Sequence, residues 1–273
     1  MTAIDLPTVP SYESTGLDRF RYAWADTMTI TWRNLISMMR VPQVLVFSTI
    51  QPIIFVLMFR YVFGGAISTG IPGIPYVDFL MPGIFVQTIT FGSIQTGVGL
   101  ADDLTKGLIE RFRSLPMARS AVLAGRTVAD LARNVFVFTL MTGVGFAVGF
   151  RIHTNVFAFA GALLILLLFT FALSWIFAFV GLAMRNAEAA QAAAFPLVAP
   201  LVFASSAFVP LSSQPGWLQA FSAHQPLTLT VDAIRALCIG GPTVGPVVQS
   251  IAWSIGIIAV FAPIAVRKYR QAA

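Results

Sequence analysis

Long apolar runs alternate with short polar stretches along most of this chain. A helix needs about 20 consecutive apolar residues to cross the hydrocarbon core of a bilayer. Six segments approach or exceed that length: 43–63, 79–100, 134–150, 156–184, 192–211 and 247–266. The first is broken only by Gln51, Pro52 and Arg60. The second carries Pro82, Gln87 and several glycines, the fifth Pro196 and Pro200, and the sixth Pro263. The fourth runs for 29 residues without a charge, so it must tilt or project. The pattern predicts an all-α integral membrane fold with six transmembrane helices.

Ahead of the first run the period changes. Over 18–42, Phe20, Trp24, Met28, Thr31, Leu35 and Met38 recur at steps of three and four. Arg19, Arg21, Asp26, Arg33 and Arg40 lie off that face. This predicts an N-terminal amphipathic helix in the membrane interface, with Trp at headgroup level. A soluble helix packed on a partner is the alternative. Residues 1–17 are polar, with Pro7, Pro10, Ser11, Ser14 and Gly16. They read as a disordered cytoplasmic tail and lack the apolar core of a signal peptide. The transmembrane domain is expected over 43–270.

The loops differ in charge. With the N-terminus inside, fourteen of the 17 basic residues face the cytoplasm, and only Arg60, Arg151 and Arg235 face outward. That bias places both termini in the cytoplasm. Of the outer loops, 64–78 is short and rich in Gly and Pro, 151–155 is a tight turn, and 212–246 is longer. The last holds two candidate short helices, at 215–221 and 226–237. Leu227, Val231 and Ile234 share one face of the second, and Gly240-Gly241-Pro242 stops it. Short apolar helices between spans read as re-entrant helices before the last span, tolerated where protein or a water-filled cavity surrounds them.

Composition agrees with this picture. The chain is 57% hydrophobic and 10% charged, with a mean hydropathy of +0.83, whereas soluble domains carry about 25% charged residues. The net charge of +6 follows membrane orientation, so nucleic acid is not an expected partner. Cys238 is the single cysteine, which excludes an intrachain disulfide. The only lysines, Lys106 and Lys268, follow no glycine-rich phosphate loop, so this chain is not expected to bind ATP by a P-loop. His153 and His224 stand apart in sequence, which speaks against a metal site. No acid falls inside the six expected spans, Asp78 and Asp232 being assigned to outer loops. Proton-coupled carriers usually need such an acid. No nucleophile–base–acid set or carboxylate pair is recognisable, so no catalytic residues are expected.

The stretch 101–133 carries six basic and four acidic residues between two apolar runs. Within it Leu104, Leu108 and Phe112 recur every four residues, while Asp103, Glu110, Arg111 and Arg113 occupy other faces. Pro116 ends this helix, and a second, from Ala118 to Arg133, runs into the third span. Gly107 has no side chain and admits a partner's surface. Composition alone favours an ordinary solvated loop. In the first two spans Gln51, Gln87, Thr88, Thr90, Ser93 and Gln95 interleave with Phe55, Phe59, Phe85 and Phe91. That mixture suits a path for an amphipathic molecule, though for any one of these residues interhelical hydrogen bonding is the favoured reading. Gly145-x-x-x-Gly149 has helix-packing spacing, with local packing as the default.

Across nearly the whole chain the sequence resembles the permease subunits of type-2 ABC exporters, in particular the daunorubicin-resistance-like family of actinobacteria. The matching blocks are Trp32-Arg33-Asn34, Arg40-x-Pro42, Gln51-Pro52 and Phe63-Gly64-Gly65. Asp103, Gly107, Arg111 and Pro116 follow in the central loop. The last block is Pro215-Gly216-Trp217, His224-Gln225-Pro226, Arg235 and Gly240-Gly241-Pro242. The resemblance implies a cytoplasmic coupling helix after the second span. Asp103, Leu104, Gly107, Leu108, Glu110, Arg111, Phe112, Arg113 and Pro116 would engage an ABC nucleotide-binding subunit. It also implies a second permease copy, identical or different, and ATP-Mg held by the partner ATPase, with no cofactor on this chain. The implied activity is export of a drug, lipid or glycolipid across the cell membrane. Gln51, Phe55, Phe85, Gln87, Phe91, Phe203 and Phe208 are candidates to line its path. The importer permeases of other ABC classes place Leu-Pro further from the coupling Gly than Leu115-Pro116 stands from Gly107. Alternatives from other classes are a self-contained carrier or channel and a lipid-acting membrane enzyme.

Overall fold

The computed structural model describes residues 16–40, 42–67, 69, 72–107, 119–184 and 186–272. Among these, nine α-helices and no strand are found. In chain order they are α1 (Gly16–Arg40), α2 (Pro42–Leu57), α3 (Tyr76–Thr105), α4 (Arg119–Ala147), α5 (Val156–Ala183), α6 (Ala187–Phe203), α7 (Gly216–Ser222), α8 (Pro226–Ile239) and α9 (Val244–Ala272). The chain continues from α2 through a π-helical turn, Met58–Phe63. The expected tail over 1–17 lies outside the described residues up to 15; Gly16 and Leu17 already belong to α1.

The bundle is built round α3. It packs against α2, α4, α5, α6 and α8; every residue from Tyr76 to Thr90 is buried, and most of those from there to Ala101. A helix covered on all sides by protein can carry polar side chains that lipid would reject. The hydroxyls of Thr88, Thr90 and Ser93 donate to the carbonyls of Ile84, Val86 and Ile89 at 2.7, 2.6 and 2.7 Å, satisfying themselves within the helix. Packing is closest where side chains vanish. Gly97 on α3 and Gly181 on α5 face each other so tightly that a Cβ on either would strike the other helix's backbone. Gly83 meets Ala207 in the same way.

Among the described residues, four helical stretches are long and apolar enough to cross a membrane: Tyr76–Thr105, Gly125–Ala147, Val156–Ala183 and Val244–Tyr269. The stretches Thr49–Phe63 and Ala187–Phe203 are shorter apolar helices. α5 is apolar on every face and starts at Asn155, whose side chain accepts from Ala158 N–H at 2.7 Å. α6 is capped likewise by Asn186 on Ala189 N–H at 2.8 Å.

Two expected spans are redrawn. The helix expected to run from Ala118 into the third span is found as α4, continuous from Arg119, and its membrane-length apolar stretch is Gly125–Ala147 rather than 134–150. The fifth stops at Phe203. Residues 204–210 then fold back as irregular backbone, with Ser205, Ser206, Ala207 and Phe208 buried in the core. The two short helices before α9 are found at α7 and α8. α8 is inserted among α3, α5 and α9, with Leu227, Val231 and Ile234 buried. Gly240 and Gly241 stop it at φ +92° and +115°, angles that side-chain-bearing residues avoid.

α1 lies along α4. Ile30 sits over Gly125, and the Thr31 hydroxyl donates to the Gly125 carbonyl at 3.1 Å. Thr31 therefore leaves the expected stripe and faces protein. Trp24 and Trp32 stay 60% and 65% exposed, with Met28 between them.

Candidate functional site

The expected coupling helix is interrupted at its start. α3 runs on through Asp103 and Leu104 to Thr105, then turns at Lys106 and Gly107. Gly107 has φ +65°, and its N–H donates to the Leu104 carbonyl at 3.1 Å. This is a left-handed helix stop, which accounts for the glycine without any partner surface. Asp103 and Leu104 are thus the last turn of a spanning helix, and both look inward. Asp103 Oδ2 accepts from Arg126 Nη1 at 2.6 Å. Leu104 packs onto a cluster of Leu100, Ala178, Leu182, Ala265 and Tyr269. Asp102 pairs instead with Lys106 at 2.6 Å on the surface. That hydrogen bond and the carboxylate's charge raise the lysine above its ordinary pKa. Leu108, Glu110, Arg111, Phe112, Arg113 and Pro116 lie outside the described residues.

Beyond Asp103 a buried polar ladder joins α3 to α4, and sequence reasoning missed it. Thr96 Oγ1 donates to Asp130 Oδ2 at 2.6 Å and lies 3.4 Å from Ser174 Oγ on α5. Arg133 Nη2 donates to the Gly92 carbonyl at 2.7 Å and stands 3.7 Å from Asp130 Oδ1. Asn134 is buried beside Gly92. The expectation that no acid enters a span is therefore corrected: Asp130 lies in the stretch Gly125–Ala147 and is 3% exposed. It is held by the Thr96 hydroxyl and faces the Arg133 guanidinium. The signal was present in the sequence. Arg126, Asp130, Arg133 and Asn134 fall on one face of a helix, opposite Gly92, Thr96, Gly99 and Asp103 on one face of another.

The expected path residues divide. Phe55, Phe203 and Phe208 come together, with ring centroids 6.4, 6.0 and 5.7 Å apart. Phe59, stacked on Phe208 at 4.6 Å, and Phe63 extend this group along α2 and its π turn. Arg60 sits in that turn, half-buried, and its Nε finds no hydrogen-bond partner among the described residues. Phe91 pairs with the exposed Phe195 at 5.9 Å. Phe85 is fully buried against Phe138 and Phe150, so it is core. Gln87 is buried with its Oε1 unpartnered among the described residues. Gln51 is exposed on α2, away from the buried polar groups of α3.

At the other end of α3 two buried acids anchor the loops. Asp78, 1% exposed, receives Arg151 N–H at 2.8 Å and the His153 ring at 2.7 Å. His153 N–H and Thr154 Oγ1 tie the same turn to the Cys238 and Leu237 carbonyls. His153 is not isolated, then, and neither it nor Asp78 is merely a loop residue. Arg235, counted as an outer-loop charge, is buried on α8. It donates to Asp232 Oδ1 and the Ser206 carbonyl, both at 2.7 Å, and its guanidinium lies 3.7 Å from the Phe79 ring centroid. Tyr76 OH donates to the Phe208 carbonyl at 2.8 Å. Among the described residues no group of three His, Cys, Asp or Glu is arranged as for a metal.

An all-helical bundle with a buried central helix, several apolar membrane-length helices and its charges sequestered in pairs defines a multi-pass membrane protein. Residues 25–239 match the ABC-2 type transporter family, and the chain belongs to it. It is 35% identical over 249 residues to a daunorubicin resistance ABC transporter permease of Streptomyces coeruleorubidus, covering 91% of this chain and 87% of that one. A probable doxorubicin resistance ABC transporter permease of Mycobacterium tuberculosis is 28% identical over 257 residues, covering 91% and 89%. A putative transport permease of Cyanophora paradoxa is 28% identical over 219 residues, covering 78% and 73%.

Proposed function

We propose that this chain is the membrane-spanning permease of an ATP-driven exporter that moves a hydrophobic or amphipathic molecule outward across the cell membrane. The observation that carries this reading is the match to drug-resistance ABC permeases over nine-tenths of the chain. A separate ABC ATPase binds ATP-Mg and drives the change; this chain holds no nucleotide. α2 with its π turn, and α6, complete a set of six spans with α3, α4, α5 and α9. Both termini lie in the cytoplasm, as the basic-residue bias supports.

The connection between α3 and α4 receives the ATPase. Glu110, Arg111 and Arg113 pair with its charges, and Leu108 and Phe112 fill its groove. Closure of two ATPases on ATP biases a two-state element, and the spans alternate between inward and outward access. The aromatic group Phe55, Phe59, Phe203 and Phe208 supports a substrate with planar or apolar surface: a drug, lipid or glycolipid. The exposed apolar residues Ile50, Ile54 and Leu57 of α2 and Leu197 of α6 support a second permease copy seated there.

The test is co-purification with candidate ATPases. Glu110→Lys with Arg111→Glu is expected to abolish complex formation and ATPase stimulation; an intact complex refutes the coupling assignment. Transport is expected to stop on ATP depletion even while a proton gradient persists, which separates this reading from a self-contained carrier. A cysteine at Ser114 should resist external labelling in intact cells, and one at Ser213 should react.

A further inference from the structure

The α3–α4 ladder is built from charge where apolar packing would have served stability as well. Replacing a buried ion pair by apolar side chains of similar volume is often neutral or stabilising. What such a pair adds is register. Three rungs follow one antiparallel alignment. Asp103 meets Arg126, Thr96 meets Asp130, and Gly92 receives Arg133. The first and third rungs use arginine, and each runs against a glycine. A Cβ at Gly99 would coincide with the Arg126 guanidinium, and one at Gly92 would stand 3.7 Å from Arg133 Nη2. The ladder contains two acids and two arginines, so it is electrically closed. All four charged side chains are at most 19% exposed, so water screens them little. A slip of one turn between α3 and α4 would break every rung together.

Among the described residues, the faces of α3 toward α5 and α6 carry no charged ladder of this kind. Its contacts with α5 and the segment after α6 are close approaches of Gly97 to Gly181 and of Gly83 to Ala207. These are steric and non-directional; the directional contacts beside them are the weak Thr96–Ser174 pair and, at the opposite end of α3, the Tyr76 hydroxyl on the Phe208 carbonyl. Helices joined that way slide by small shears. α1, bonded to Gly125 next to Arg126, braces the base of the pair.

We propose that Arg126, Asp130 and Arg133 are positioning residues that lock α3 and α4 into one lever, which moves as a unit against α5 and α6 during transport. The ladder begins in the last turn of α3, at Asp103, so a push delivered at that end reaches the middle of the bundle without loss of register. This rests on the reading that the connection receives an ATPase. It assigns the stiffness of the transmission to residues outside the contact itself.

The experiment uses the permease–ATPase complex in proteoliposomes, with spin labels on single-cysteine pairs. Thr105 and Ala132, both exposed, report α3 against α4; Thr105 and Ala183 report α3 against α5. Trapping with ATP and vanadate is expected to leave the Thr105–Ala132 distance unchanged and to shift Thr105–Ala183. An equal shift in both pairs overturns the lever, and needs no destabilised variant to be seen. Arg126→Gln is then expected to broaden the Thr105–Ala132 distribution. Daunorubicin, the probe, should be moved about tenfold less per ATP hydrolysed, the effect expected for losing one coupled buried pair, with ATP turnover retained. Asp103→Arg with Arg126→Asp should restore both readouts; no recovery, or a narrow distribution in Arg126→Gln, also overturns it. Failure of the ATPase to co-purify at all is a different result, and it strikes the coupling reading alone. Should daunorubicin not be a substrate, the two distances still decide.

Discussion

The contact of Gly97 with Gly181 offers the sharpest test of the packing. Adding one methyl at Gly97 puts a Cβ 3.1 Å from the Phe177 carbonyl carbon, and one at Gly181 stands 2.7 Å from the Gly97 carbonyl carbon. Ordinary contact begins at 3.4 Å. The obstacle in each case is backbone of a buried helix, which cannot rotate away as a side chain can. α3 and α5 must therefore separate, and the loss spreads along their whole interface. Overpacking a filled core costs about 1–3 kcal/mol, and the rigid obstacle argues for the upper half of that range. For a chain of this size about 2–4 °C of midpoint accompanies each kcal/mol, so a fall of roughly 5–10 °C is expected for Gly97→Ala. Gly143→Ala is the control: it lies on α4 with nothing within 4 Å of a Cβ, and it gains helix propensity. The assay is thermal unfolding of both variants in the same detergent, followed by tryptophan fluorescence. If the two melt together, the close crossing is wrong.

Three further outcomes follow from single side chains. Arg235→Met removes the cation that joins α8 to the Phe79 and Ser206 carbonyls; about 3 kcal/mol of stability should go, and adding Asp232→Asn should recover part by removing the stranded carboxylate, as denaturation midpoints will show. Asp78→Asn should loosen the 148–155 turn, since the amide cannot accept from both Arg151 N–H and a ring N–H through two carboxylate oxygens; a loss of about 1–3 kcal/mol and faster hydrogen exchange at Arg151 are expected. Gly107→Ala should cost about 1 kcal/mol through its positive φ, and Gly107→Asn less, because Asn tolerates that conformation; equal effects would count against the helix stop.

Much of the architecture could be read from one dimension. The expected segment 156–184 and the observed α5 nearly coincide, because an uninterrupted apolar run leaves one solution in a bilayer. α8 was legible for a related reason: Leu227, Val231 and Ile234 mark a buried face, and paired glycines mark its end. The misreadings share a cause. Charge density was read as exposure, so Arg126, Asp130 and Arg133 were placed in a solvated stretch, whereas they are largely buried against α3. α4 carries them inward because α3 supplies a hydroxyl, a carboxylate, the Gly92 carbonyl and the gap left by Gly99 opposite. Asp103, expected to engage a partner, is paired with Arg126 inside the bundle. Among the path candidates, aromatic residues could not be sorted by type: Phe85 is core and Phe203 is exposed, a difference set by which helix happens to stand opposite.

The sequence by itself determined that this is a multi-pass helical membrane protein of the ABC-2 type, how many apolar segments it has, and where its basic residues gather. Those properties are local sums of hydropathy and charge, and a bilayer reads them one segment at a time. Only the tertiary structure decided that Asp78, Asp130, Arg126, Arg133 and Arg235 are interior groups. A charge is tolerated in the interior only against a partner of the right shape. Several of those partners stand far off in the chain, 23 residues away for Asp103 and Arg126 and 75 for Asp78 and His153, which lies in the turn before α5. No pattern along the chain brings them together; packing round α3 does.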